Sequence, residues 1–406
     1  MDKKVPEIRF KEFSGEWVTV ESCNIFQTYY EKNHPDLPVL SASQEHGMVI
    51  RDNVGFQVQH NKDNETDYKR VLPGQFVIHL RSFQGGFAHS NVEGITSPAY
   101  TVIEFRDKEN HNDIYWKFVL TSNEFIKRLE TVTYGIRDGR SISFVDFSEL
   151  DFNVPNVDEQ AKIGKLFTTI DRLIDKLEQK LEKLRKIKQA LLNQMFINVN
   201  RGGCETPILR FARYKEPWLM KQLNEYLSVS EETNQNNLYN KHSIFSVSKR
   251  FGVINQIAYQ GKSFAGTSLK NYRIVHNKNV VYTKSPLKEQ PYGIIKSNIN
   301  EDGIVSPLYA VYRTREEVVS EFVQTYFELD SRLNDYLQCL VNKGAKNTLL
   351  VSDEDALKGI VVFPKKDEQS QITGLFSVLG SVMDEQENRI AKLRQTKQSL
   401  LRKMFV

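Results

Sequence analysis

Apolar residues recur at Ile163, Leu166, Ile170, Leu173, Leu177, Leu184, Ile187 and Leu191, with charged residues between them. A flanking row adds Phe167, Ile174, Leu181 and Met195. This is heptad spacing, and neither glycine nor proline interrupts it between Gly164 and Gly202. It predicts a long helix with a coiled-coil seam. A stripe of about 35–40 residues at 1.5 Å each outruns the core of one domain. A second stripe runs more loosely through Ile372, Leu375, Leu379, Val382, Leu393 and Leu400. Gln386 and Arg389 stand in it, so its packing is expected to be weaker or partly polar. Elsewhere the pattern shortens. Phe76-Val77-Ile78-His79-Leu80 and Asn279-Val280-Val281-Tyr282-Thr283 read as strands bounded by Pro73-Gly74 and Asn277. Ile114 to Leu129 and Val318 to Leu340 read as helices. The globular parts are therefore expected to be α+β with many connecting loops.

The chain also repeats itself, and that organises everything else. Pro6-Glu7-Ile8-Arg9-Phe10, closed by Trp17, returns as Pro207-Ile208-Leu209-Arg210-Phe211, closed by Trp218. Leu40-Ser41-Ala42-Ser43 with Gly47 returns as Phe245-Ser246-Val247-Ser248 with Gly252, and Tyr68-Lys69 as Tyr272-Arg273. Gly94-Ile95-Thr96-Ser97-Pro98-Ala99-Tyr100 matches Gly303-Ile304-Val305-Ser306-Pro307-Leu308-Tyr309. Pro155 with Asp158-Glu159-Gln160 matches Pro364 with Asp367-Glu368-Gln369. Lys188-Gln189, Leu191-Leu192 and Met195-Phe196 match Lys397-Gln398, Leu400-Leu401 and Met404-Phe405. Gly94 and Gly303 are 209 positions apart, and so are Phe196 and Phe405. Matches in the same order, at constant offset from Gly94 on and a smaller one before it, make the chain two copies of one unit, each a globular part followed by a helix. If the helices pair and the units are equivalent, the helices run antiparallel. The heads then sit at opposite ends of a rod, and the carboxyl terminus returns to the first head.

Composition narrows the class. The 406 residues carry a net charge of +4 and 40% hydrophobic residues, which suits globular domains. Mild positive charge permits nucleic-acid binding without arguing for it. No apolar run is long enough for a membrane span, and no signal peptide opens the chain, so a cytoplasmic protein with no membrane partner is expected. Cys23, Cys204 and Cys339 are far apart and in no CxxC pair, so neither a zinc site nor a disulfide framework is expected.

A rod with two similar but unequal heads is a ruler, and two-fold related DNA readers use such geometry to face one side of the duplex. The chain resembles the specificity subunits of Type I restriction–modification systems over essentially its whole length. The likeness rests on the Pro-x-x-Arg-Phe box with its Trp, the Gly-Ile-x-Ser-Pro-x-Tyr segment, the Pro-x-x-x-Glu-Gln box and the Lys-Gln-x-Leu-Leu-x-x-Met-Phe helix end, each present twice. The resemblance implies two target-recognition domains, at 1–155 and 201–364, each reading one half of a bipartite asymmetric site in double-stranded DNA. It implies helices at 156–200 and 365–406 that set the spacer and hold two DNA methyltransferase (modification) subunits. Nuclease–translocase (restriction) subunits would join the larger complex. The expected fold class is α+β, two similar globular domains separated by a long antiparallel two-helix coiled coil, with a pseudo-two-fold internal repeat.

DNA readers need Arg, Lys, Asn, Gln and Ser on loops, for phosphates and base edges. In the first head Arg81, Ser82 and Gln84 follow a strand and precede Gly85-Gly86; Lys284, Ser285 and Lys288 hold the corresponding place in the second. A further pair of clusters is Arg137 with Arg140, matched by Lys346 and Asn347. The plain alternative for each is a solvated loop. Catalytic motifs fail. Ser97-Pro98-Ala99-Tyr100 and Ser306-Pro307-Leu308-Tyr309 lack the acidic or amide first residue and second proline of the adenine-methyltransferase box, and read as strand-entry turns placing a core tyrosine. Gly261-Lys262-Ser263 imitates a phosphate loop but has Gln256 where its first glycine belongs. No catalytic or metal site is expected in this chain, and S-adenosylmethionine, ATP and Mg are expected on partner subunits. Glu159-Gln160 and Glu368-Gln369 suit a first helical turn, with contact to a partner subunit as the sharper possibility. A rod-like protein adaptor that never touches DNA is the alternative to the whole reading.

Overall fold

Both predicted stripes form single helices in the computed structural model, Val157–Gln194 and Lys366–Met404. The structure describes residues 4–43, 46–54, 62–79, 86–132, 143–197, 206–266, 268–286, 290–343 and 349–405. The chain divides into two compact units. One comprises Met1–Glu178 with Asn388–Val406, the other Gln179–Glu387. Each therefore contains one head and a stretch of both long helices.

Within the first unit the helices run antiparallel. Lys397 Nζ meets Asp171 at 2.5 Å and Arg394 meets Glu178 at 2.5 Å, so rising numbers on one helix face falling numbers on the other. The Phe167 and Phe405 rings stack at 5.7 Å. The second unit repeats this: Arg185 pairs with Glu387 at 2.8 Å, and Phe196 lies 6.0 Å from Phe376.

The buried row of the first long helix differs from the expected one. Ile163, Phe167, Ile174, Leu181 and Met195 are buried, whereas Leu173 and Ile187 are 45% and 50% exposed. The seam is the 4–3 alternation 163, 167, 170, 174, 177, 181 and onward, and it includes the flanking row. Three apolar rows share this helix, and spacing alone does not say which two face inward. On the second helix Gln386 is buried in the equivalent row with its Oε1 unpartnered, which makes that seam partly polar as expected.

The heads are built alike. In the first, a four-stranded antiparallel sheet orders Phe26–Tyr29, Thr101–Phe105, Phe76–Ile78 and Phe87–His89, with Phe26 opposite Phe105 and Phe76 opposite Ile103 and His89. In the second, the order is Leu227–Val229, Ala310–Thr314, Val280–Tyr282 and Ile295–Ser297. Phe76-Val77-Ile78 and Val280-Val281-Tyr282 are buried on both faces, as continuous β-branched and aromatic runs demand. Matching two-stranded ladders flank each sheet, among them Lys69–Val71 with Gly94–Thr96 and Arg273–Val275 with Gly303–Val305. Gly47 and Gly252 close matching hairpins at φ near +70°, a turn that disfavours side chains.

The two segments read as single helices are each broken. Asp113–Leu120 and Asn123–Val132 are separated at Thr121-Ser122, where the Ser122 hydroxyl accepts from Phe125 N at 3.1 Å and starts a new helix. Ser320–Tyr326 and Asp330–Leu337 are likewise separate, with the break at residues 327–329. Ser97 and Ser306 lie in turns between strands as expected, and Tyr100 and Tyr309, only partly buried, pack against the edges of small hydrophobic clusters.

Candidate nucleic-acid interface

The opening box and the Glu-Gln box meet in each unit. Arg9 Nε and Nη2 donate to the two oxygens of Glu159, each at 2.7 Å. Arg210 does the same to Glu368, at 2.7 and 2.8 Å. Both glutamates are buried, and the paired carboxylate raises the Arg9 and Arg210 guanidinium pKa values further. The following glutamines are fully buried too. Gln160 Nε2 donates to Pro155 O at 2.9 Å and its Oε1 accepts from Asn112 N at 2.9 Å. Gln369 Nε2 donates to Pro364 O at 2.9 Å and its Oε1 accepts from Val319 N at 2.9 Å. These residues do occupy the first helical turn, but their burial removes the reading as partner contacts. They clamp each long helix to the head that precedes it. Neither clamp was legible locally, because its members stand about 150 residues apart; the signal was that Arg and Glu are both repeated.

The backbone pairs just before the first basic segment of each head. In the first, His79 N donates to Gly86 O at 2.9 Å. His79 is half-buried beside Tyr100, and burial lowers its pKa. In the second, Thr283 N donates to Ile294 O at 3.1 Å and closes a loop.

Lys284 and Ser285 begin that loop. Lys284 adopts φ +47°, unusual for a residue with a side chain. Its Nζ lies 2.5 Å from Asp353 Oδ1, while Arg273 lies 2.8 Å from Asp353 Oδ2. Asp353 is buried and follows, in sequence, the strand pair Asn342–Lys343 with Leu349–Leu350. One carboxylate thus holds Lys284 and Arg273 together. Arg81, Ser82, Gln84, Arg137, Arg140, Lys288, Lys346 and Asn347 themselves lie outside the described residues. The flanks of the first head's segments also meet. Phe87, just past 80–85, packs its ring 5.3 Å from Phe125 and 4.8 Å from Phe147, and these two flank 133–142 on either side. Asp353 and Phe87 were not singled out, and no motif marks them.

Several other cations of the heads are paired with carboxylates. Arg70 pairs with Glu31 and Glu93, and Arg313 with Glu232. Among the described residues no group of acidic, His and Cys side chains is arranged to hold a metal. None of the helices there is long and apolar enough to cross a membrane.

A sequence profile of the Type I restriction modification DNA specificity domain matches residues 13–186. No curated protein matches the chain. The structure is similar to the S subunit of a Type I restriction-modification system from M. genitalium, at TM-score 0.57 and 12% identity over 99% of both chains. It is also similar to a chain solved in work on complex assembly and conformational transition of the type I R-M system. That match has TM-score 0.51 and 14% identity over 96% of this chain and 97% of the other. The HsdS subunit of Thermoanaerobacter tengcongensis matches at TM-score 0.47 and 14% identity over 96% of each chain. The profile covers the first copy of a unit that occurs twice, and the likeness in fold extends over both copies. Residues 13–186 thus match the DNA specificity domain of Type I restriction–modification systems, and the whole chain has the fold of the similar S subunit.

Proposed function

We propose that each head reads one half of an asymmetric, two-part DNA target and that the paired helices fix the distance between the halves. One observation carries this reading. The clamps are the same in both copies, Arg9 with Glu159 and Arg210 with Glu368, whereas the basic segments differ in length and residue type. A constant scaffold with unlike presenting loops is what two unlike half-sites require. Arg81, Ser82, Gln84, Arg137 and Arg140 would serve the first half-site, and Lys284, Ser285, Lys288, Lys346 and Asn347 the second. In the fold Lys284 spends its charge on Asp353, so its part would be to shape the loop and present Ser285 and Lys288.

Two methyltransferase subunits would dock on the helices, and nuclease–translocase subunits would complete the restriction complex. S-adenosylmethionine, ATP and Mg would belong to those partners, and this chain would supply no catalytic group. Leu173 and Ile187, exposed on the first long helix, are apolar positions available to such a partner. The adaptor reading finds no support in the family match. The test is to map methylated adenines in cells carrying the chain with its methyltransferase partner. A two-part motif of fixed spacing is expected, and replacing residues 10–153 with another head should change one half only. A change in both halves would refute the division of labour.

A further inference from the structure

The two copies attach their heads to the helices differently. Lys188 and Lys397 occupy the same place, 209 positions apart, as do Glu178 and Glu387 and Arg185 and Arg394. Lys397 finds its carboxylate on the other helix, at Asp171. The residue equivalent to Asp171 in the second copy is Gly380, and there Lys188 pairs instead with Glu328 of the head at 2.6 Å. Glu328 in turn replaces the Val119 of the first copy. The anion facing this lysine has moved from helix to head. Both changes are needed for the new pair, and the chain carries both.

Two more charged groups tie the second head down. Arg250, at its hairpin tip, pairs with Glu387 of the long helix, which Arg185 also holds. The buried Arg332 donates to Leu192 O near the end of the first long helix at 2.6 Å and to Tyr326 O at 2.8 Å. The equivalents in the first copy are Glu45 and Asn123, neither of which brings a cation.

We infer that Lys188–Glu328, Arg250–Glu387 and Arg332–Leu192 form a brace that fixes the second head's orientation on the helices and so sharpens the spacing this chain accepts. A head that rocks on its helix reaches targets a base pair nearer or further; a braced one does not. Lys188, Glu328 and Arg250 are then positioning residues: they act on spacing and leave the bases read unchanged. The inference rests on the two-head reading above.

The test uses the whole chain with its methyltransferase partner. Methylation is measured on DNA carrying both half-sites with the native spacer and with spacers one base pair shorter and longer. Lys188→Glu and Glu328→Lys, each alone, are expected to lower the preference for the native spacer at least threefold. Together they should restore it above half the wild-type value, the shortfall arising because buried Lys296 senses the charge at position 328. Arg250→Glu, at a residue 64% exposed on its side chain and therefore tolerant of change, should lower the preference likewise. Half-site sequences should stay the same in every variant. Variants that keep wild-type preference within twofold would overturn the brace while leaving the two-head reading intact. A wild-type chain that marks no two-part motif would overturn both.

Discussion

Arg9 and Glu159 are joined by two parallel hydrogen bonds across 150 residues of sequence, with the glutamate fully buried. The arginine's remaining Nη1 donates to Gly15 O, so one side chain fixes the opening loop and the helix start together. Removing one member of a buried pair strands the other's charge, at about 3–5 kcal/mol. Arg9→Ala should lower the unfolding free energy of the first unit by that much, and Arg210→Ala that of the second. Denaturant unfolding followed by hydrogen exchange would separate the two. Equal loss in both units from either change would show that the clamps are not local.

The recognition loops make a different demand. Changing Arg81, Gln84 and Arg137 together to Ala should weaken reading by the first head at about 1–3 kcal/mol per base contact, with less for contacts to phosphate. The second half of the motif should be untouched, and the thermal midpoint should stay near wild type. Unchanged affinity and motif would remove both loops from the DNA surface.

A histidine bridges two carboxylates in the second head. His276 Nδ1 lies 2.6 Å from Asp302 and its Nε2 2.7 Å from Glu232, and hydrogen bonds to these carboxylates raise its pKa. A raised folded value means the contribution is fully present below the unfolded value of about 6.5. It is lost as pH rises through the folded value. Because the site is well exposed, the effect is small. His276→Gln should therefore lower the melting temperature at pH 5.5 and have little effect at pH 9. A loss of the same size at both pH values would place the histidine's role in packing.

Much of this arrangement was legible before any coordinates. The duplicated boxes fixed the two-copy plan, and the apolar stripes, regular on the first helix and looser on the second, located both long helices. What spacing did not settle is which apolar rows face inward, since Leu166, Leu173 and Ile187 keep the same period as Phe167, Ile174 and Leu181. The break at Ser122 was missed because the apolar positions continue across it while the serine starts a new helix. The clamps and the Asp353 junction were hidden for a plainer reason. Each depends on a charge pair distant in sequence, and a local window sees only one partner. Comparing one copy with the other exposes such pairs, as the shift from Asp171 to Glu328 does.

The helices offer the most direct trial of spacing. The two units divide between Glu178 and Gln179 on one helix and between Glu387 and Asn388 on the other. Four residues inserted at both points add about 6 Å of helix. DNA rises about 3.4 Å per base pair, so the preferred spacer should lengthen by one or two pairs. Four residues also carry a helix through about one turn and 40°, so the 4–3 seam unwinds locally instead of failing. The added base pairs rotate one half-site about the duplex axis, and twisting DNA or protein to compensate costs energy. Affinity on the best new spacer should therefore fall below that of the wild type on its own. The bases read at both ends should not change, because neither clamp nor loop was altered. Methylation mapping in cells with the lengthened chain reads all three quantities. A folded, partner-bound variant still marking only the original spacing would show that something other than helix length measures the gap.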